Sequence, residues 1–455
     1  MMNWSGKRVL ILGAARQGIA AARWFTRHGA IVTLNDHRSN EQLAGARQEL
    51  AGYPIKWILG AHPLEALDEI DTVCISGGIP LTNPIVQEAV RRSLPLTNDT
   101  QVFLDVVPCK TIGITGSAGK TTTTSMVGAM AQIPMGKRAF VGGNIGDPLL
   151  NYVDGMTGED LAILEISSFQ LEQITQSPDV AAILNITPNH LDRHGTMELY
   201  TAAKKRILDF QSSKDVAVLG RDDPGAWALR TGIKGKLLSF GFSPIPQGKD
   251  GTYIDDGMLH LRQGRHNIPL MYAEDVPLRG KHNVMNTLAA FAIGFACNLK
   301  PEEMVAAVKG FKGAPHRLEF IREWHGARWY NDSIATAPER TMAAIQSFSE
   351  PIILLLGGRD KNLPWNDLAG LVSSRASHVV LFGEAAGKIQ DVFNRQPGKY
   401  TLERCDGLEQ AVAVAARLAR EGDVVLLSPG GTSFDEFFDF EERGEAFKKW
   451  VSALS

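Results

Sequence analysis

The sequence predicts an α/β protein of three domains, each built on a largely parallel sheet. Apolar strand-like runs alternate with helix-compatible stretches through most of the chain, and many of the 45 glycines directly follow such runs. At 455 residues the chain is too long for one ordinary core. The pattern breaks near residues 107 and 314.

The first segment opens "KRVLILGAARQGIAAARWFTRHGAIVTLNDHR", which reads strand, glycine turn, helix, strand, and "DTVCISGGIP" continues the alternation. Gly13 to Gly18 stands where a dinucleotide fingerprint would, but the middle glycine is Ala15, whose methyl obstructs close backbone approach to a pyrophosphate. A degenerate Rossmann-like turn for another nucleotide is therefore preferred to an NAD site, with Asp36 and Arg38 placed to bond a ribose or phosphate. A tight turn without a ligand stays open. The second cycle begins at "CKTIGITG", includes the apolar runs "LAILEIS" and "VAAILNIT", and passes through an antiparallel excursion around 248–268. The third runs through "PIILLLGG", "HVVLFG" and "DVVLLSPGG".

Composition excludes several classes. With 44% hydrophobic and 21% charged residues and a net charge of −3, nothing suggests a nucleic-acid or anionic-membrane surface. No apolar run approaches the ~20 residues that span a bilayer. The opening "MMNWSGKRVLILG" has no signal-peptide pattern, so a cytoplasmic enzyme is expected. Cys74, Cys109, Cys297 and Cys405 are widely separated, which supports neither a disulfide framework nor a zinc site.

"TIGITGSAGKTTTTSMV" (111–127) resembles a phosphate-binding loop, although the usual first glycine of G-x-x-x-x-G-K-[ST] is Ile114. Gly116 and Gly119 allow backbone N–H groups to turn inward at the positive end of a following helix. Lys120 then reaches the β- and γ-phosphates and the Thr121 hydroxyl meets Mg²⁺. A buried strand ending in Glu165 supplies the carboxylate that such a metal needs, and MgATP is the expected ligand. His190 and His194 are four apart but lack an H-E-x-x-H pattern, so zinc is disfavoured. His190 suits a magnesium or substrate site, while His194 is expected at the surface. Lys204 and Lys205 follow a candidate N-cap, Thr196, and by themselves read as solvated lysines.

The chain resembles the Mur ligases over essentially its whole length. The resemblance rests on T-G-x-x-G-K-[ST] at 115–121, with Ala118 where the family usually has Asn. It extends to "GGNIG" (142–146), "EISSFQL" (165–171), "NITPNHLDRH" (185–194), "GKHNVMNTLAA" (280–290), "PHRLE" (315–319), "NDSIAT" (331–336) and "SPGGTSFDEF" (428–437). It implies a UDP-sugar-binding Rossmann-like domain at 1–107, a P-loop-type ATPase domain at 108–313 and a Rossmann-like amino-acid-binding domain at 314–455. The implied reaction adds D-glutamate to UDP-N-acetylmuramoyl-L-alanine through an acyl phosphate, with ATP and two Mg²⁺ ions, in a monomer whose domains close to assemble the site.

The resemblance also implies residue roles. Gly116, Ser117, Ala118, Gly119, Lys120, Thr121, Thr122, Asn283, Asn286, Arg317 and Asp332 bind ATP. Ala15, Arg16, Gln17, Asp36, Arg38, Ser76, Gly77, Asn144 and His190 bind the UDP substrate. Thr336, Lys361, Ser433, Phe434 and Phe440 bind the amino acid. Lys120, Glu165, His190 and Lys204 are catalytic; Thr121, Glu165, His190 and a carbamylated Lys204 hold the metals.

Two departures concern the amino acid alone. Ile334 replaces a lysine of the D-glutamate-adding branch, with Arg340 and Arg359 as candidate substitutes, and "SPGGTS" replaces the frequent S-P-A-C-A-S. L-Glutamate or another amino acid is therefore an alternative substrate. An NAD-dependent oxidoreductase fused to an ATPase is the alternative of another class; it needs the first glycine turn to accept NAD, against which Ala15 stands.

Overall fold

The computed structural model describes residues 3–132, 138–245, 248–361, 363–396 and 398–454. Three sheets carry the chain. The first holds β1 (Arg8–Leu12), β2 (Ile31–Asp36), β3 (Ile55–Leu59), β4 (Thr72–Ile75) and β5 (Leu96–Thr97), all parallel, in the order β3-β2-β1-β4-β5. The order reverses beside β1, so a crevice forms at the carboxyl ends of β1 and β4, where Gly13 and Ser76 lie. Helix Arg16–Arg27 packs back through Ile19, Ala20, Trp24 and Phe25, all buried.

The second sheet comprises β6 (Lys110–Thr115), β7 (Ala139–Gly143), β8 (Leu161–Glu165), β9 (Val180–Ile183), β10 (Val216–Gly220), β11 (Lys236–Phe240), β12 (Asp250–Asp255), β13 (Met258–Gln263) and β14 (His266–Tyr272). Its order is β14-β13-β12-β11-β10-β9-β6-β8-β7. The strands β12 to β14 pair antiparallel, as the glycine-punctuated stretch around 248–268 predicts. The expected N-cap is present: Thr196 Oγ1 accepts from the Leu199 N–H at 3.3 Å and opens helix Met197–Asp209.

The third sheet orders β15 (Glu319–Trp324), β16 (Ala327–Asn331), β17 (Ile352–Gly357), β18 (Ala376–Phe382), β19 (Thr401–Arg404) and β20 (Val424–Gly430) as β15-β16-β20-β17-β18-β19. It is parallel apart from the β15–β16 hairpin, which the alternating pattern does not anticipate. Buried on both faces, β17 reads as one apolar run: Leu354 and Leu356 enter one core, Ile353 and Leu355 the other.

The chain forms two compact units, 1–276 with 281–311, and 277–280 with 312–455. The first two sheets belong to the former and the third to the latter. Within the second unit the short piece 277–280 is held by Arg279, whose Nη1 donates to Glu350 at 2.6 Å while its guanidinium covers Tyr330 and Phe348. All four cysteines are free, and among the described residues no helix is long and apolar enough to cross a membrane.

Leu354→Ala should cost about 2–5 kcal/mol, because it opens a cavity in a strand with no exposed face. A lowered midpoint of urea unfolding, with secondary structure intact in buffer, checks this.

Candidate active site

The phosphate loop follows β6 and opens helix Lys120–Ala131. Gly119 caps that helix at φ +84°, and a Cβ there would stand 2.4 Å from Asn286 Oδ1. Both the turn and the close neighbour require glycine. The loop is braced from 185: Asn185 Oδ1 accepts from the Ala118 N–H at 2.8 Å, and its carbonyl accepts from the Ser117 N–H at 3.0 Å. The Ser117 hydroxyl meets Tyr200 Oη at 2.9 Å and bonds the backbone of Thr187. Thr122, in the first turn, is buried, as are Asn283 and Asn286, which bond each other at 3.1 Å.

Glu165 ends β8, beside β6, in the register Ile114↔Glu165. Its side chain is 2% exposed. Thr121 Oγ1 donates to Oε2 at 2.8 Å and Asn144 Nδ2 to Oε1 at 2.9 Å. Asn144 gets there because Gly143, at φ +98°, lets the chain pass so close that a Cβ would lie 2.4 Å from the Glu165 carbonyl.

Two lysines converge on one carbonyl: Lys120 Nζ donates to Gly116 O at 2.9 Å and Lys204 Nζ to the same oxygen at 3.0 Å. Lys204, expected as a solvated lysine, is 1% exposed, since its helix turns this face onto β6. Burial, then repulsion by Lys120, pushes it down to about 7, with Glu165 opposing. Lys205 is exposed and pairs with Asp209.

His190, at φ +52°, sets its ring edge-on to Phe169 at 5.2 Å. His194 departs from the surface placement expected of it. It is buried, stacks on Phe169 at 5.1 Å, and bonds Ser168 Oγ at 2.9 Å with Glu172 3.1 Å away. The aromatic ring of Phe169 removes it from water. Among the described residues no group of three or more His, Cys, Asp and Glu side chains could hold a metal. The buried carboxylate of Glu165 beside the Thr121 hydroxyl is nonetheless the hard oxygen pair that suits Mg²⁺, an ion that keeps several waters and takes one or two carboxylates.

At the crevice of the first sheet, Asp36 is 2% exposed and accepts from Ala14 N at 2.8 Å and from Arg38 Nη2 at 2.8 Å and Nε at 3.0 Å. Burial opposes its charge, but Arg38 and these backbone donors hold it well below the usual carboxylate range. Its bonds hold Arg38 and the glycine turn. Ala15 and Arg16 are exposed above them, Gln17 Nε2 reaches the Gly143 carbonyl at 3.4 Å, and Ser76 Oγ donates to Gly13 O at 3.1 Å. The Gly77 carbonyl accepts from Arg193 Nη1 at 3.0 Å.

In the second unit, the candidate residues gather at the carboxyl ends of β16, β17 and β20. Asp332 is buried and accepts from Ser428 Oγ at 2.8 Å; burial raises it to about 7, against the opposing effects of Ser428 and Arg317. Lys361 Nζ donates to Thr336 Oγ1 at 3.3 Å. Ser433 is buried, Phe434 is 60% exposed, and Phe440 begins the last helix with its carbonyl accepting from Ser333 Oγ at 2.8 Å. Of the substitutes considered for the lysine missing at Ile334, Arg359 is paired with Glu384 at 2.8 Å. Sequence reasoning missed Asn185, Tyr200 and Phe169. A signal existed for Tyr200, four residues before Lys204 on the same helical face.

Such a loop, strand-end acid and pair of lysines on a largely parallel sheet are the arrangement a nucleotide phosphate would suit. Family models for the Mur ligase middle domain, the Mur ligase glutamate ligase domain and the MurD-like N-terminal domain match residues 114–294, 316–431 and 7–98. The chain is 40% identical over 459 residues to the UDP-N-acetylmuramoylalanine--D-glutamate ligase of Geobacter metallireducens, covering 100% of this chain and 99% of that one. It is 37% identical over 455 residues to the enzyme of that name from Pelotomaculum thermopropionicum, covering 100% and 99%. Among solved structures, the UDP-N-acetylmuramate-alanine ligase MurC of Thermotoga maritima aligns with TM-score 0.60 at 18% identity over 98% of this chain and 100% of that one. The MurF ligase of the same organism, in complex with ADP, aligns with TM-score 0.55 at 17% identity over 98% and 95%. The chain belongs to the Mur ligase family.

The depressed Lys204 has a consequence for stability. Between about 7 and its ordinary 10.5 the unfolded chain binds the extra proton, so stability rises with pH across that window and is flat with respect to this group below it. In bicarbonate-free buffer, urea midpoints at several pH values in that window should climb for the wild type and climb less for Lys204→Met. Equal slopes would contradict the burial of the amine.

Proposed function

We propose that this chain joins D-glutamate to UDP-N-acetylmuramoyl-L-alanine in an ATP-dependent, ADP-forming reaction that supplies a cytoplasmic peptidoglycan precursor. The observation that carries it is the braced phosphate loop with Lys120, Lys204 and Glu165, in a chain similar from end to end to D-glutamate ligases. Residues 1–107 take the UDP-sugar, 108–313 ATP and 314–455 the amino acid, in a protein acting as a monomer.

The substrate carboxylate is a poor electrophile. Attack of its oxygen on the γ-phosphorus expels ADP and gives an acyl phosphate; the glutamate amine then attacks the acyl carbon, loses a proton, and phosphate leaves. The loop from Gly116 to Thr122 surrounds the ATP phosphates, with the N–H groups of Ser117 and Ala118 kept by Asn185 and its other N–H groups turned to phosphate oxygens, and Lys120 swings from the Gly116 carbonyl to those oxygens. Asn283 and Asn286 line the adenine side, and Arg317 and Asp332 take a part in nucleotide binding. Thr121 and Glu165 would hold one Mg²⁺, His190 a second. Bound there, the ions would neutralise charge on the transferred phosphoryl group. A Lys204 amine held near 7 is substantially neutral at physiological pH, and its free amine can add CO₂ and release a proton, giving a carbamate anion where an ammonium cation would otherwise stand. Asp36 orients Arg38 toward the UDP substrate, which also meets Ala15, Arg16, Gln17, Ser76, Gly77, Asn144 and His190. Thr336, Lys361, Ser433, Phe434 and Phe440 receive the glutamate.

ADP release with MgATP and UDP-N-acetylmuramoyl-L-alanine should be stimulated by D-glutamate and not by L-glutamate. Stimulation by L-glutamate alone would reassign the substrate, with Ile334 as the first position to examine, and silence with both would reject the glutamate reading. Lys204→Ala should lose most of this activity and regain part of it with added short carboxylates; normal activity in that variant would discard the carbamate.

A further inference from the structure

The second unit contains a buried arginine that the roles above do not use. Arg443 lies in the first turn of helix Phe440–Ala453 and is 0% exposed. Nε donates to Ser333 Oγ at 3.0 Å, and Nη2 donates to the carbonyls of Ser333 and Gly431 at 2.9 and 3.1 Å. Nη1 is buried without a partner. The acceptors are all neutral. The adjacent carboxylates are engaged elsewhere: Asp435 accepts from the Glu384 N–H and Glu436 from the Leu408 N–H, each at 3.1 Å. Buried charges are ordinarily paired, so this one stands out. Burial lowers it to about 10, with Asp435 and Glu436 opposing, and it stays charged at neutral pH.

The groups that Arg443 fastens carry the proposed amino-acid site. Ser333 precedes Thr336 on the loop after β16, Gly431 precedes Ser433 on the loop after β20, and Gly358, after β17, leads to Lys361. A Cβ at Gly358 would stand 2.8 Å from Nη1, so this guanidinium lies directly against that backbone. Lys361 is itself lowered by burial and then by Arg340 and Arg443, so the three cations act on one neighbourhood. An arriving anion relieves that repulsion.

Resting on the glutamate reading, we propose that Arg443 is a positioning residue for the incoming amino acid. It ties the loops after β16 and β20 together and packs against the loop after β17, and its charge, bonded directly to no carboxylate, favours a dicarboxylate over a neutral amino acid. In full-length protein, Arg443→Met should raise the KM for glutamate at least about tenfold while the KM for ATP stays within about twofold, and Arg443→Lys should recover most of the loss. A clamp without an electrostatic role would leave the lysine and methionine variants equally impaired, which overturns the proposal, as does an unchanged KM in a folded Arg443→Met. If Arg443→Met does not fold, Asp435→Asn serves instead. It keeps an acceptor for Glu384 N–H, removes an opposing charge and should lower the KM for glutamate; an unchanged or higher value overturns the proposal. A wild-type chain that uses no amino acid at all overturns the glutamate reading along with it.

Discussion

The carboxylate of Glu165 is the constraint on which the proposed nucleotide site depends. A charge at a buried strand end is costly unless donors surround it. Here Thr121 brings the helix of the phosphate loop to one oxygen, and Asn144 brings the loop after β7 to the other. Sheet register does the rest: with Ile114 opposite Glu165, the acid stands beside the start of the loop, and a slip of one residue would turn it to the opposite face. The close passage at Gly143 and the brace from Asn185 then hold both flanks of the same site.

A common electrostatic logic links the candidate sites of the two units, each considered within itself. In the first, the Lys120 ammonium and the depressed Lys204 amine share the carbonyl of Gly116. In the second, Lys361, Arg340 and Arg443 influence one another while Arg443 bonds only neutral oxygens. A cation whose hydrogen bonds go to neutral oxygens, as those of Arg443 do, is preorganised for an anion, because binding adds a strong interaction and requires little rearrangement. Phosphates and a dicarboxylic amino acid are the anions that the proposed reaction brings.

Much of this was legible because it is local. The glycines, Lys120 and Thr121 are contiguous, and Glu165 announces itself as an acid closing an apolar strand. The antiparallel strands β12 to β14 were visible in their turn residues. What escaped depends on distant partners. Asn185 braces Ala118 across 67 residues and Tyr200 reaches Ser117 across 83. His194 looks like a surface residue until Phe169 stacks on it, and Lys204 looks solvated until its helix lies on β6. Arg443 sits in "FEERGEAFKKW", a charge-rich stretch that reads as a solvated helix face. The β15–β16 hairpin was hidden because a parallel alternation does not predict an antiparallel edge.

The short piece 277–280 bears on how the molecule can be taken apart. It lies amid sequence of the first unit yet belongs to the second, where Arg279 bridges to Glu350 and covers two aromatic rings. A gene truncated after residue 311 would still encode that arginine but not Glu350, Tyr330 or Phe348, and a fragment starting at 312 would expose Tyr330 and Phe348 where the guanidinium had lain. The carboxyl-terminal unit is thus not a cassette that can be transplanted by one cut. A chimaera with a relative has to carry the matching tetrapeptide along, and a protease that separates the units at 312 leaves a piece of one inside the other.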